Sequence, residues 1–183
     1  LDGPRSDRGE PLVNLAGYII HSCIHGARDD VQCVLHTHSR AVMAVACLDQ
    51  GLIPMEQEGL QFYNRVAYHD YEGLSVDADE KSRLIADLGQ KNVMLMRNHG
   101  AVTVGATISE AFRRMYYLDS ACRVQLDVLH TGGKIRLPSP EVCEHTARQW
   151  EAGTASIGGG AEPTLEWEAM KRLMDRKDPS YRE

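Results

Sequence analysis

The sequence lacks the features typical of secreted, membrane-spanning and nucleic-acid-binding proteins. None of its five cysteines forms a C-x-x-C pair, and their odd number argues against a disulfide framework. All five lie among apolar neighbours, which predicts reduced thiols buried in a core. No apolar run approaches the roughly 20 residues that span a bilayer. The formal net charge of −6 disfavours nucleic acid and anionic membranes as partners, because both attract basic patches. We therefore expect a cytoplasmic protein.

The 183 residues are 43% hydrophobic and 25% charged, which is typical of one globular domain with a sizeable core. We expect a single domain over 1–183. The chain opens on "LDGPRSDRGE" without methionine, so its natural N-terminus is expected to lie outside this sequence. The stretch "GTASIGGGAEP" at 153–163 predicts a flexible linker to a terminal helix.

Helical and extended patterns alternate along the chain. Helices are predicted at 14–27, 40–48, 77–89, 107–130, 139–152 and 165–176, and strands at 31–36, 65–73, 92–97 and 101–105, the strand from 65 running into a loop. Asn14 is a candidate helix cap, and Thr107 with Glu110 forms a T-x-x-E capping box. This alternation predicts an α/β domain, a sheet flanked by helices.

Two histidines, one residue apart, follow the first predicted strand. In an extended chain, residues i and i+2 point to the same side, so His36 and His38 can bind one ion together. A metal site needs a third protein ligand. His99 follows the buried strand 92–97, and we expect Gly100 to permit the turn that aims its ring inward. An H-x-H pair alone is equally typical of two surface histidines, but His99 favours the metal interpretation.

The stretches around these histidines resemble a known family. "VLHTHSRAVMAVA" and "LMRNHGAVTVGATISEAF", with "NLAGYIIHS", "GLIP", "VAYHDYEG" and "EWEAMKRLMDR", are similar to the class II aldolase/adducin family, and most of all to adducin head domains and their bacterial relatives. The resemblance implies a three-layer αβα sandwich with a central mixed sheet. It also implies a divalent ion, usually zinc with manganese or iron as alternatives, on residues matching His36, His38 and His99.

The same comparison puts the proton-transfer group in question. The family's sugar-phosphate aldolases carry a catalytic glutamate four residues before a helix histidine that matches His21, and this chain has Gly17 there. Their phosphate-binding loops precede the segment present here, so we expect the N-terminal part of the domain to be missing. A related dehydratase branch takes its glutamate from a Gln-Glu pair resembling Gln57 and Glu58 in "PMEQEGLQF", although adducin heads also carry a glutamate there. Glu58 is the first candidate for catalytic acid/base, and His69 in "AYHDYEG" is the second.

The implied metal determines the expected chemistry. A divalent ion on three histidines with an open position is a Lewis acid, which serves aldol cleavage, dehydration and decarboxylation alike. We therefore expect a metal-dependent lyase acting on a small hydroxy-carbonyl or carboxylate compound. Two alternatives remain: a non-enzymatic, adducin-like assembly module, and a non-haem iron oxygenase, since histidines also bind iron(II).

Assembly is also expected. The family resemblance implies a homotetramer with active sites between subunits. Tyrosine is enriched at interfaces, and five tyrosines fall on the long helix and in the region around the loop 65–75: Tyr63, Tyr68, Tyr71, Tyr116 and Tyr117.

Overall fold

The computed structural model of the protein describes residues 14–73, 80–153 and 163–182. The helices are α1 (Leu15–Ala27), α2 (Arg40–Ala46), α3 (Glu80–Leu88), α4 (Ile108–His130), α5 (Pro140–Glu151) and α6 (Pro163–Lys177). The strands are β1 (Cys33–Thr37), β2 (Val66–His69), β3 (Val93–Met96) and β4 (Gly100–Gly105), and short 3-10 helices occupy Gly59–Phe62 and Pro179–Arg182. None of the helices described is long and apolar enough to cross a membrane.

Polar side chains cap the two helices for which caps were predicted. The Asn14 carboxamide oxygen accepts a hydrogen bond from the backbone N–H of Gly17 at 3.0 Å, at the start of α1. The Thr107 hydroxyl accepts from the N–H of Glu110 at 3.2 Å, and the Glu110 carboxylate accepts from the N–H of Ala106 at 3.2 Å. These bonds satisfy N–H groups that have no partner within the helix, so the predicted starts of α1 and α4 are confirmed.

The four strands form one mixed sheet in the order β1-β4-β3-β2. β4 runs antiparallel to both β1 and β3, whereas β2 and β3 are parallel. The C-terminal ends of β1, β2 and β3 therefore meet the start of β4 at one edge of the sheet. Residues that follow those three strands are brought together there.

Helices cover both faces of this sheet, so the fold is the three-layer αβα sandwich with a mixed sheet that the resemblance implied. Strand side chains alternate between the two faces. One core joins α1 and α3 to the sheet and includes Ile20, Ile24, Leu84, Leu88, Met94, Val102 and Val104. The other joins α2 and α4 to the opposite face and includes Val42, Val45, Leu95, Ala101, Met115, Leu118 and Cys122.

The boundaries differ from prediction mainly at loops. The strand predicted at 65–73 ends at His69, and the strand predicted at 31–36 begins at Cys33 and extends to Thr37. The first residues of the helix predicted at 77–89 lie outside the described residues, and α3 is described from Glu80. The predicted linker also falls on undescribed residues, 154–162.

The expectation that all five cysteines are buried was wrong for two of them. Cys23, Cys122 and Cys143 are buried, but Cys33 is half-buried and Cys47 is exposed. Cys47 is the C-cap of α2, so its side chain lies beyond the helical segment that packs on the sheet. All five are free thiols.

Candidate metal centre

The structure brings the three predicted histidines together at one sheet edge. His36 belongs to β1, His38 follows it, and His99 lies in the turn between β3 and β4. The ring centroids are 4.7 Å apart for His36 and His38, 4.9 Å for His36 and His99, and 4.6 Å for His38 and His99. One nitrogen from each ring lies within 4.8 Å of the other two. Three imidazoles grouped so closely could hold one metal ion.

A backbone hydrogen bond orients the central ring. His36 Nδ1 lies 3.0 Å from the carbonyl oxygen of Ala101. A carbonyl only accepts, so Nδ1 carries the proton and the lone pair of Nε2 remains available for a metal. His36 Nε2 lies 2.8 Å from His38 Nε2. These two nitrogens therefore lie close enough for one ion to contact both.

Burial lowers the pKa values of two of the three histidines. It is the largest cause that lowers the pKa of His36, to about 4, and the neighbouring rings of His99 and His38 lower it further, against the raising effect of the Ala101 carbonyl. Burial also lowers the pKa of His99, with His38 as the second cause. Since metal binding requires the neutral imidazole, protons compete little with a metal for these two rings at neutral pH.

Two backbone positions build the turn that carries His99. Asn98 has φ of 56°, the left-handed conformation that asparagine tolerates better than most residues. Gly100 has no such φ, so the sequence-based account of it was wrong. Its role is close approach: a Cβ there would lie 2.5 Å from the Thr37 carbonyl oxygen and 3.1 Å from His38 Cδ2. Only glycine lets β4 start this near to the H-x-H segment.

A side-chain hydrogen bond to α4 also fixes the H-x-H segment. The Ser39 hydroxyl caps α2 by accepting from the N–H of Val42 at 3.3 Å, and it donates to the Asp119 carboxylate on α4. Arg123 donates to the other Asp119 oxygen at 2.7 Å. The residue after His38 is therefore fixed to α4. The contact between Ser39 and Asp119 could not be predicted from sequence, because the two residues are 80 positions apart.

α1 forms one wall of the site. Burial, followed by the nearby His25, lowers the pKa of His21, and His21 is among the groups that lower the pKa of His36. Gly17 lies one turn earlier, and the nearest atom to a Cβ built there would be the Asn14 side-chain oxygen at 3.8 Å. Position 17 thus has room for a side chain, but glycine supplies no proton-transfer group.

Glu58 is held against α4. Its carboxylate is half-buried and accepts a hydrogen bond from the Ser120 hydroxyl at 2.8 Å. Ser120 is the residue after Asp119, which contacts Ser39 beside the histidines. Among the described residues, no hydrogen bond joins Glu58 to the three histidines. Glu58 and Ser39 are therefore held by two adjacent residues of α4, Ser120 and Asp119.

His69 lies at the same sheet edge but faces α3. Its side chain is 2% exposed. Nδ1 lies 2.7 Å from the Asp87 carboxylate and Nε2 lies 3.4 Å from the Glu80 carboxylate, both on α3. The ring therefore contacts two carboxylates of α3. The structure does not bring it into the three-histidine group.

Comparisons with known proteins identify the family. The model of the class II aldolase and adducin N-terminal domain matches residues 1–126. A solved structure of an aldolase II superfamily protein from Pseudomonas syringae superposes with a TM-score of 0.84 and 41% identity, over 93% of this chain and 67% of that one. The chain belongs to the class II aldolase and adducin family.

Two further relatives are an aldolase and an adducin. L-fuculose 1-phosphate aldolase from Glaciozyma antarctica PI12 has a TM-score of 0.66 and 32% identity, over 79% of this chain and 54% of that one. Alpha-adducin from Rattus norvegicus is 38% identical over 185 residues, which is 96% of this chain and 25% of that protein. The chain spans about two thirds of the length of its bacterial relatives.

The close approach at Gly100 generates a testable prediction. We expect Gly100→Ala to weaken metal binding by at least about tenfold, because moving β4 away from Thr37 and His38 displaces His99, and supporting contacts of metal ligands are worth about 10–100-fold in affinity. The measurement is a competition titration with a chromogenic zinc chelator. Gly26→Ala is the control, since a Cβ there meets nothing within 4 Å. Equal zinc affinity in both variants would contradict this account of Gly100.

Proposed function

We propose that the protein is a divalent-metal-dependent lyase, of aldolase, dehydratase or decarboxylase type, acting on a small hydroxy-carbonyl or carboxylate compound. The observation that carries the proposal is the group formed by His36, His38 and His99, with one nitrogen of each within 4.8 Å of the others. Zinc is the proposed metal, with manganese or iron as alternatives, since imidazole suits several divalent ions. The named aldolase activity of the Glaciozyma relative supports the lyase class.

The chain's own residues would prepare this centre. His36 is oriented by the Ala101 carbonyl, and the lowered pKa values of His36 and His99 keep both rings neutral. Ser39 and Asp119 hold the segment that carries His38. A bound divalent ion would supply Lewis acidity to a carbonyl oxygen of the substrate. The protein supplies the orientation of the proposed ligands.

Proton transfer is assigned in the proposal to Glu58, with His69 as the second candidate. Glu58 is half-buried and accepts one hydrogen bond, from Ser120. Its other oxygen has no hydrogen-bond donor among the described residues, so it could exchange a proton with a substrate. His69 is almost fully buried and both of its nitrogens face carboxylates. A proton would have to reach His69 through Asp87, the more exposed of these partners.

The adducin relationship supports one rival, an assembly module without catalysis, since alpha-adducin is 38% identical over nearly the whole chain. An iron-dependent oxygenase is the other, because the same three imidazoles suit iron(II). Elemental analysis of the purified protein, paired with a screen of small hydroxy-carbonyl compounds, separates the three. Turnover of such a compound without oxygen consumption supports the lyase, whereas stoichiometric metal without any turnover supports the module.

Cytoplasmic location is part of the proposal, supported by five free cysteines, which are typical of a reducing compartment.

One prediction of the proposal concerns the proposed metal ligands. His36→Ala and His99→Ala should each lose most of the bound metal, because two imidazoles alone bind a divalent ion weakly. His145→Ala, which removes an exposed histidine of α5, should retain it. Metal content per chain is measured by mass spectrometry after gel filtration, and retention of metal in both site variants would place the ion elsewhere.

The next prediction concerns Glu58. Glu58→Gln keeps the shape and the Ser120 contact but removes the exchangeable charge, so turnover should fall about 100-fold or more, the usual scale of general acid–base catalysis. Metal content should stay unchanged. Glu168→Gln on α6 is the matched control for the same chemical change. If Glu58→Gln turns over as fast as Glu168→Gln, proton transfer moves to His69, and Asp87→Asn becomes the decisive variant.

Oligomerisation forms a separate prediction. We propose a homotetramer, supported by exposed apolar and aromatic residues on α4, where Ile108 is 60% and Tyr116 is 53% exposed. Light scattering coupled to gel filtration should give about four times the chain mass of 20.4 kDa. Ile108→Glu should lower that mass by placing charge in an apolar contact. A monodisperse monomer at micromolar concentration would refute the assembly.

A further inference from the structure

A cleft lies at the sheet edge opposite the three histidines. It has a volume of about 440 Å³ and is bounded by the N-terminal ends of β2 and β3, by α4 and by the end of α5. Its walls include Arg65, Lys91, Asn92, Arg113, Arg114 and Trp150. β3 has four residues between the two edges, which at about 3.3 Å per residue separates the cleft from the histidines by roughly 13 Å. The cleft is therefore distinct from the candidate metal centre.

One of the four cations in the cleft is already neutralised. Arg65 uses all five of its N–H donors: its Nε and both Nη atoms bond to the carboxylates of Glu144 and Glu151 and to the Tyr63 carbonyl. These bonds raise its pKa. Arg65 therefore links the start of β2 to α5 through hydrogen-bonded ion pairs, and it has no donor left for a ligand.

Arg113 is held in place with donors to spare. Its Nε donates to Glu166 on α6 at 2.9 Å, and its guanidinium carbon lies 5.4 Å from the Tyr117 ring centroid and 5.5 Å from the Trp150 centroid. Within the described part of the chain, neither Nη1 nor Nη2 has an acceptor. A planar guanidinium held beside two aromatic rings that contact each other, with both terminal nitrogens lacking an acceptor among the described residues, is suited to bidentate binding of an oxyanion.

Arg114 and Lys91 add further donors. Arg114 Nη1 bonds to the Val104 carbonyl and to Glu110 at 3.3 Å, while Nε and Nη2 have no acceptor among the described residues. Burial lowers its pKa more than Glu110 raises it, so the charge lacks full compensation. Within residues 14–73, 80–153 and 163–182, the Lys91 ammonium donates one hydrogen bond, to the Val66 carbonyl at 2.8 Å, which leaves two of its protons without an acceptor there.

We propose that this cleft is a second ligand site, which binds a small molecule carrying a phosphate or a pair of carboxylates. Arg113, Arg114 and Lys91 line the cleft together with Glu110 and Glu151. Each of the three cations keeps N–H donors that have no acceptor among the described residues. Phosphate and carboxylate oxygens are the acceptors that such donors prefer. The aromatic ring of Trp150 and the side chains of Phe62 and Val93 supply an apolar wall for the remainder of the ligand.

The site is tested by calorimetric titration of the protein with inorganic phosphate, and separately with succinate, at ionic strength held constant with chloride. We expect saturable binding of at least one of them at one site per chain. Arg113→Gln and Lys91→Gln should each weaken binding about tenfold or more, the scale of a lost charge-assisted hydrogen bond. Lys171→Gln, the same charge change on α6 outside the cleft, should leave affinity unchanged. Circular dichroism checks that the variants fold.

Two further measurements separate the cleft from the metal centre. Phosphate binding should survive in His36→Ala, since the proposal does not depend on the metal. Trp150 lines the cleft, so binding should change the tryptophan fluorescence. The chain has two tryptophans, and Trp150→Phe should abolish this change. Absence of saturable binding of both probes at millimolar concentration would overturn the proposal. Binding that is lost in His36→Ala but unaffected by Arg113→Gln would also overturn it.

Discussion

The antiparallel contact between the end of β1 and the start of β4 is the constraint on which the candidate metal centre depends. The register sets Thr37 opposite Ala101, and Gly100 lets the two backbones approach to a distance that any side chain would prevent. The same pairing places the Ala101 carbonyl against His36. One local contact therefore determines the separation of His99 from the H-x-H segment and the orientation of the central ring.

The two layers of helices have different parts in the site. The alternation of β1 directs Val34 toward the core of α1 and α3 and Leu35 toward the core of α2 and α4, and His36 shares the side of Val34. Ser39 and Glu58 are instead held by neighbouring residues of α4. The proposed metal ligands thus depend on the sheet edge, while the proposed proton-transfer group depends on a loop against α4. A change in that loop can alter the chemistry without disturbing the ligands.

Local patterns were enough to predict the α/β class, the caps at Asn14 and Thr107, and the three histidines as one group. These depend on short-range periodicity, on capping and on the two-residue repeat of a strand. The Ser39–Asp119 bond and the position of His69 between Glu80 and Asp87 were not predictable, because they join residues that only the packed layers bring together. The role of Gly100 was missed for a related reason, since close approach depends on a neighbouring strand and leaves no local signal.

The two edges of the sheet are lined by different kinds of ionisable side chain, and their charges should respond differently to a fall in pH. At the histidine edge, burial lowers the pKa values of His36 and His99 and keeps these two rings neutral. With the pKa of His36 at about 4, protons displace an ion from this ring only well below neutral pH. In the opposite cleft, Arg113 and Arg114 carry guanidinium groups, which stay protonated throughout that range. Lowering the pH should therefore release an ion from the proposed metal site while the guanidinium groups of the cleft stay charged, so the two proposed sites can be distinguished by their pH dependence.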